Sequence, residues 1–198
     1  MTTGLGKRLQ WLLGITGTHA IVRRYAVVNG FDGALTMLGM LLGFYISPDQ
    51  QLTTIINACL GVSVALAVSG ISSAYLSESA EQQQSLQDLR DAMVSDMADS
   101  AHSQAATLAP ILVALANGLS PLGMGLLIML PLLLSHAGIP LGIGAIEAAL
   151  LVAGLLLFLL GVLLGQIRRS SLLASGLLTL LIAAITSGLV FLLGRLGG

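Results

Sequence analysis

Hydrophobic and polar positions divide the chain into five long apolar stretches, at roughly 25–46, 52–77, 107–134, 141–165 and 171–194. Each meets the length of about 20 mostly apolar residues that a membrane-crossing helix needs. The breaks between them are short and carry turn signals. Ser47-Pro48-Asp49 closes the first stretch, His136-Ala-Gly-Ile-Pro140 separates the third from the fourth, and Arg168-Arg169-Ser170 separates the fourth from the fifth. The third stretch holds Pro110, Pro121 and Pro131, which predicts a kinked helix. Ahead of the first stretch, residues 5–22 read as a helix lying at the membrane surface, with Trp11 at headgroup depth. Its apolar patch is short and interrupted by Gly14, Gly17 and His19, unlike a cleavable signal peptide.

The second break, residues 78–106, has another character. It holds Glu78, Glu81, Asp88, Asp91, Asp96 and Asp99 against the single base Arg90. At about 100° per residue, Leu86, Leu89, Met93 and Met97 form one stripe of a helix. Glu81, Asp88, Asp91, Asp99 and His102 form the opposite stripe. This predicts an amphipathic helix that continues the second span or folds back from it. The expected organisation is an N-terminal interfacial helix (1–24), membrane helices one and two (25–77), an acidic helix (78–106) and membrane helices three to five (107–198). The fold class is all-α, a polytopic membrane protein with five transmembrane helices.

Composition supports that class. Of 198 residues, 56% are hydrophobic and 9% charged, where soluble domains carry about 25% charged residues. A net charge of −1 gives no basis for nucleic-acid binding. Cys59 is the one cysteine, which excludes an intrachain disulfide and a thiolate cluster, and it reads as a small packing residue. Lys7, Arg8, Arg23 and Arg24 precede the first span, and Arg168 and Arg169 lie between the fourth and fifth. With five spans these two sets fall on one side, which the positive-inside rule makes cytoplasmic. The N-terminus and the acidic helix are then expected in the cytoplasm and the C-terminus outside. Short loops and compact spans suggest a prokaryotic cell membrane.

Asp32 is the residue on which a functional reading turns, because it lies inside the first apolar stretch. A carboxylate in hydrocarbon is costly, and it belongs against protein or a water-filled path. Asn29, Asp32, Thr36, Met40 and Gly43 fall near one helix face, while the glycines at 30, 33, 39 and 43 permit close helix approach. Asp32 is therefore a candidate cation ligand or proton carrier. The alternative is a structural carboxyl hydrogen-bonded to Asn29 or Thr36. Glu147, early in the fourth span, is a proton-relay candidate or a side chain that snorkels to the interface. The acids of residues 78–106, with His102 and two methionines, suit capture of a divalent cation, or are a solvated face. Asn57, Gly61, Ala65, Ser69 and Ser73 repeat small or polar residues at every fourth position of the second span, a close-contact face for the first span or for a second subunit. Asn117, Pro121 and Met124 add polar and soft atoms to the third. No nucleophile–base triad, phosphate loop or dinucleotide fingerprint is present, so an enzyme is not expected.

Asn29-Gly30-Phe31-Asp32-Gly33-Ala34-Leu35, followed by Gly39 and Gly43, resembles the first span of the vacuolar iron transporter family. Tyr75-Leu76-Ser77-Glu78 is similar to the end of that family's second span, Pro110 to Pro131 to its third, and Ser175 to Gly194 to its last. The resemblance covers residues 23–194. It implies a homodimeric exporter of Fe²⁺, and also Mn²⁺, from the cytosol in exchange for protons, with the pathway between subunits near the first two spans. The metal is cargo, and no permanently bound cofactor is implied. Asp32 maps onto the family's pathway aspartate, and Glu78 and Glu81 onto the start of its cytoplasmic metal-binding region. Where the family often has a Met and a Glu late in the second span, this chain has Gly70 and Ala74, and its cytoplasmic segment is short. Met37 or Met40 is a candidate replacement for the missing thioether.

The resulting expectation is proton-coupled export of a divalent transition metal. The acids Glu78, Glu81, Asp88, Asp91 and Asp99, with His102, concentrate the ion, and Asp32 holds it in the membrane until protonated. The alternative is a non-transporting membrane scaffold that uses its small-residue faces for packing and the acidic helix for a partner.

Overall fold

The computed structural model describes residues 18–47, 49–93 and 101–197, with side chains over 20–47, 49–88 and 108–196. Five helices make up the described chain: α1 (Thr18–Ile46), α2 (Leu52–Met93), α3 (Ala101–His136), α4 (Ala145–Arg168) and α5 (Leu172–Gly197). No strand occurs among the described residues. Each of the five contains a segment long and apolar enough to cross a membrane: Ala20–Ile46, Leu52–Asp88, Leu108–His136, Ala145–Arg168 and Leu172–Leu196. The greater part of the expected interfacial helix, Trp11 included, lies outside the described residues.

Local chemistry sets the helix ends. Ser47 N–H donates back to the Phe44 carbonyl (3.1 Å) and closes α1 one residue before Pro48, where a helix is expected to stop. The Gln51 carbonyl starts α2 by accepting from the amides of Thr54 (2.9 Å) and Ile55 (3.2 Å). At the end of α3, Ile139 N–H donates to Leu134 O and Gly138 N–H to Ser135 O, both at 3.0 Å. Gly138 has φ +81°, the left-handed residue that such a cap requires. The same cap ends α4, with Ser170 N–H on Gly165 O (3.0 Å), but here the left-handed position is held by Arg169 (φ 53°). Ser171 then opens α5, its carbonyl accepting from Ser175 N–H (3.0 Å) and its hydroxyl from Ala174 N–H (3.5 Å).

At 1.5 Å per residue, α2 is about 63 Å long, twice the thickness of a bilayer's hydrocarbon. It runs without a break from apolar Leu52 past Glu78 to Met93. The acidic segment is thus carried partly by the end of α2 (78–93) and partly by the start of α3 (101–106), and residues 94–100 lie outside the described residues. α3 is likewise one helix through Pro110, Pro121 and Pro131.

Two compact units divide the chain. The larger comprises Val27–Leu66 and the chain from Ser120 onward, and the smaller is built on Ala67–Leu119 with α1 up to Ala26. In the larger unit, Ala34, Met37, Leu41, Cys59, Ile128, Met129, Leu132 and Leu157 are fully or almost fully buried in one apolar cluster. Cys59 is a packing residue there, as its sequence context predicts. α4 and α5 pack against each other through small residues. Gly161 lies against Thr179 and the Ser175 carbonyl, and Gly176 against the Phe158 ring. Thr179 Oγ1 sits within hydrogen-bond reach of Leu157 O on α4 (2.9 Å) and of Gly176 O on its own helix (2.8 Å). The outward faces of these two helices are leucine-rich: Leu151, Leu155, Leu159 and Leu163 on α4, and Leu173, Leu177, Leu181 and Leu189 on α5. Such surfaces suit lipid.

Candidate functional site

Asp32 stands at the middle of α1, about 18 Å along the axis from Ala20 and about 21 Å from Ile46. Its side chain is exposed on the flank of the chain. Thr36, one turn on, is also exposed, and its hydroxyl donates to the Asp32 main-chain carbonyl (2.7 Å), not to the carboxylate. Gly39 and Gly43 continue the stripe, and a Cβ on either would meet nothing within 4 Å. Both fall within about 20° of Asp32 around the helix.

The other side of α1 is closed. A Cβ on Gly33 would lie 2.6 Å from the Cα and Cβ of Pro121, and one on Gly30 would lie 2.8 Å from Ser120 Oγ. Glycines that look alike in sequence therefore do different work. Gly30 and Gly33 admit α3, while Gly39 and Gly43 leave a shallow strip beside Asp32 open. In the same unit, Asn57, Gly61 and Ala65 of α2 are exposed, and Gly61 too has open space at its Cβ position.

The two candidate thioethers do not join Asp32. Met37 is 0% exposed and accepts a weak hydrogen bond from Ser63 Oγ (Sδ at 3.8 Å). It points about 140° around the helix from Asp32. Met40 is half-buried and packs against the apolar cluster.

The acids at the end of α2 divide between buried and solvated. Glu78 is 7% exposed, and its Oε1 accepts from Gln82 Nε2 (3.1 Å). Glu81 and Asp88 are exposed. Asp99 lies outside the described residues, as do the side chains of Asp91 and His102. Among the described residues, no group of three or more His, Cys, Asp or Glu is arranged to hold a metal ion.

Glu147 occupies the first turn of α4, three residues after its N-cap Gly144. The carboxylate folds over Gly144 so closely that a Cβ there would overlap Oε2. This is the place from which an acid reaches back to cap a helix and complements the helix dipole. Glu147 also lines a groove of about 620 Å³ with Tyr45, Ile143, Gly144, Leu150 and Leu151. Sequence spacing gives no sign of this groove, because Tyr45 and Glu147 lie on helices remote in sequence. Asn117, in sequence only a polar atom on α3, is buried, and its Nδ2 donates to the Gly70 carbonyl of α2 (2.7 Å).

Compared with family models, with curated proteins and with solved structures, the chain finds no match.

Proposed function

We propose that this chain is a membrane transporter for a divalent transition metal cation, Fe²⁺ or Mn²⁺, exchanged for protons, and that it works as a homodimer of the vacuolar iron transporter type. The observation that carries this reading is Asp32, a carboxylate at mid-span exposed on the flank of a single chain. Facing lipid there, an acid costs about 2.5–3.5 kcal/mol on insertion scales. A second copy of the chain takes the acid out of contact with lipid, and the open strip at Gly39 and Gly43 admits one, since small residues four apart allow helix backbones to approach closely. A two-fold pairing on this strip presents the same patch from both chains and so brings two mid-span carboxylates near each other. Two such groups in a dry place call for a cation or a proton between them, and exchange of one for the other is the proposed coupling. The sequence of the first span, Asn29 to Leu35 with Gly39 and Gly43, supports the metal as cargo.

In this proposal the acidic end of α2 lies on the cytoplasmic side, where the exposed acids Glu81 and Asp88 gather the cation. The N-terminus is cytoplasmic, preceded by its interfacial helix, and the C-terminus is outside. Glu147, at the start of α4, then lies toward the outer end. The test is Fe²⁺ and Mn²⁺ flux into proteoliposomes with and without a pH gradient, wild type beside Asp32→Asn. Gradient-driven flux that falls at least tenfold in the variant is expected. Flux equal in both proteins removes Asp32 from the mechanism.

A second reading is a membrane scaffold that uses the same open faces for a partner. It is favoured by Met37 and Met40 lying on the core side of α1, away from Asp32. Thermal stability unaffected by Fe²⁺ or Mn²⁺, with no flux from folded protein, selects it.

A further inference from the structure

The groove between the end of α1 and the start of α4 holds about 620 Å³, within the range of about 300–1,000 Å³ typical of small-molecule sites. Its depth in the membrane follows from helix length. α4 has 24 residues, or about 36 Å, against about 30 Å of hydrocarbon. Centred in a bilayer, it leaves about 3 Å beyond the hydrocarbon at each end. Glu147, about 3 Å in from Ala145, therefore sits at the boundary between acyl chains and headgroups. Tyr45, one residue from the end of the α1 span, lines the same groove, and tyrosine is enriched at that boundary. The groove is graded along the membrane normal. Leu150 and Leu151 lie one turn deeper on α4 than the carboxylate. Exposed Leu151 and Leu155 follow Glu147 at steps of four, so the leucine face of α4 begins beneath an acid. Glu147 is the one charged side chain in the lining, and Tyr45 brings the one aromatic ring. Tyr45 lies about 140° around α1 from Asp32. A second copy seated on the Gly39–Gly43 strip thus leaves the groove facing lipid.

We infer that this groove seats a membrane phospholipid by its primary-ammonium headgroup, a lipid of the phosphatidylethanolamine type. The sign of the headgroup charge follows from Glu147, whose carboxylate meets no cation in the lining. At the edge of the hydrocarbon its attraction for a positive charge exceeds that in bulk water. A primary ammonium fits better than a quaternary one. It has three N–H donors, as a lysine ammonium has, and the groove offers acceptors in the Glu147 carboxylate and the Tyr45 hydroxyl. Hydrogen bonds from an ammonium to a carboxylate are the strong, charge-assisted kind. A quaternary ammonium has no N–H to donate and is read by a cage of aromatic rings, where this groove has a single ring. The leucines favour a lipid over a free amine, because they open the groove to the acyl layer. The tail exchanges one apolar surface for another there, so selectivity comes from the headgroup. Gly144 keeps the acid in place, since a side chain there would overlap Glu147 Oε2. The inference needs the membrane-spanning fold and not the metal-transport reading.

Native mass spectrometry of the detergent-purified chain counts bound lipids one by one. The probes are dioleoyl phosphatidylethanolamine and the choline and glycerol lipids with the same tails. In wild type, the ethanolamine lipid is expected to bind saturably, with a midpoint at least fivefold below either of the others. Glu147→Gln should bring its binding down to the level of the choline lipid and leave choline-lipid binding unchanged, which also shows that the variant is folded. Asp49→Asn removes an exposed acid from the same membrane edge but outside the groove, and should bind like wild type. In parallel, the ethanolamine lipid should raise the thermal unfolding midpoint of wild type more than that of Glu147→Gln, since a ligand that binds the folded chain stabilises it. Equal midpoints for the three lipids in wild type overturn the site, as does a preference that survives Glu147→Gln. An equal loss in Asp49→Asn would make the preference a matter of net charge and overturns it too. Ethanolamine lipid held by single chains but released from paired ones would make the groove a contact between copies, which also overturns it.

Discussion

Gly33→Ala tests whether the packing of α1 on α3 is as close as the structure has it. The added methyl carbon would sit 2.6 Å from both Cα and Cβ of Pro121 and 3.1 Å from its carbonyl oxygen. Carbon atoms rest about 3.5–4.0 Å apart, so the shortfall is on the order of 1 Å. The obstruction is proline backbone and ring, which have no rotamer to swing away, so the helices themselves must part. Overpacking of this kind costs about 1–3 kcal/mol. The substitution also removes a mid-helix glycine, a gain of about 1 kcal/mol. A net loss of up to about 2 kcal/mol remains, and at that upper end the unfolding midpoint of a chain of this size falls by about 4–8 °C. Gly43→Ala is the matched control, since no atom lies within 4 Å of its Cβ position. It keeps the propensity gain without the clash, so the monomer should be as stable as wild type or more so. Far-UV circular dichroism of thermal unfolding, in detergent dilute enough to keep the chain monomeric, compares the two. The reasoning fails if Gly33→Ala melts at or above wild type, or if Gly43→Ala melts below it. Under conditions that permit pairing, Gly43→Ala should weaken self-association measured by energy transfer between labelled chains.

Two further substitutions probe the α4–α5 pair in the same unfolding assay. Thr179→Val keeps the shape but removes the hydroxyl that reaches Leu157 O and Gly176 O. A loss of about 0.6–1.7 kcal/mol is expected, and an unchanged midpoint would show that the hydroxyl does not tie the helices. Arg169→Gly relieves a side chain held at φ 53°, worth roughly 1–2 kcal/mol, against about 0.3–1 kcal/mol for the lost cation at the helix C-terminus. A modest rise in the midpoint is expected, and a fall would mean that Arg169 contributes more through its charge than its backbone costs.

The spans are legible in the sequence because length and apolarity alone mark them, and their ends because turn chemistry is local. Ser47-Pro48, Gly138 and the Arg168–Ser170 break each stop a helix where the sequence marks a stop. The inward face of each helix is far less legible. In a soluble helix the apolar side is the buried side, but in lipid both sides are apolar and periodicity loses its meaning. Spacing marks the stripe Asn57, Gly61, Ala65, Ser69 and Ser73 as a close-contact face for the first span or for a second subunit, and every one of these residues is exposed on the single chain. The face α2 buries runs instead through Ile55, Cys59, Ser63, Ala67, Ala74 and Glu78. No local signal separates the two stripes, since both contain small residues at similar spacing. Asn117 carries a weak signal, a polar residue four before a proline. Its partner Gly70 lies 47 residues away in sequence.

The sorting of polar groups bears on the proposed pairing. Those turned inward are mostly neutral and bind locally: Ser63 to the Met37 sulfur, Thr179 to the Leu157 carbonyl, and the Asn117 amide to Gly70. Each ties one helix to another and is held in place by a glycine or by close packing. Asp32 is turned outward, at the depth where charge costs most, beside glycines that touch nothing in the chain. A chain built only to stand alone gains nothing from that arrangement, since burying Gly39 or Gly43 against α3 would cost no more than burying Gly33. Outward placement of a mid-span acid with an open strip beside it makes sense when the strip is covered by another helix and the acid is reached by water or ions from an end. That is why the Asp32→Asn flux measurement and the Gly43→Ala association measurement should fail or succeed together. Flux lost in the first, with pairing unaffected in the second, would leave Asp32 as the ion site and place the contact between copies on the α2 face of Asn57 and Gly61.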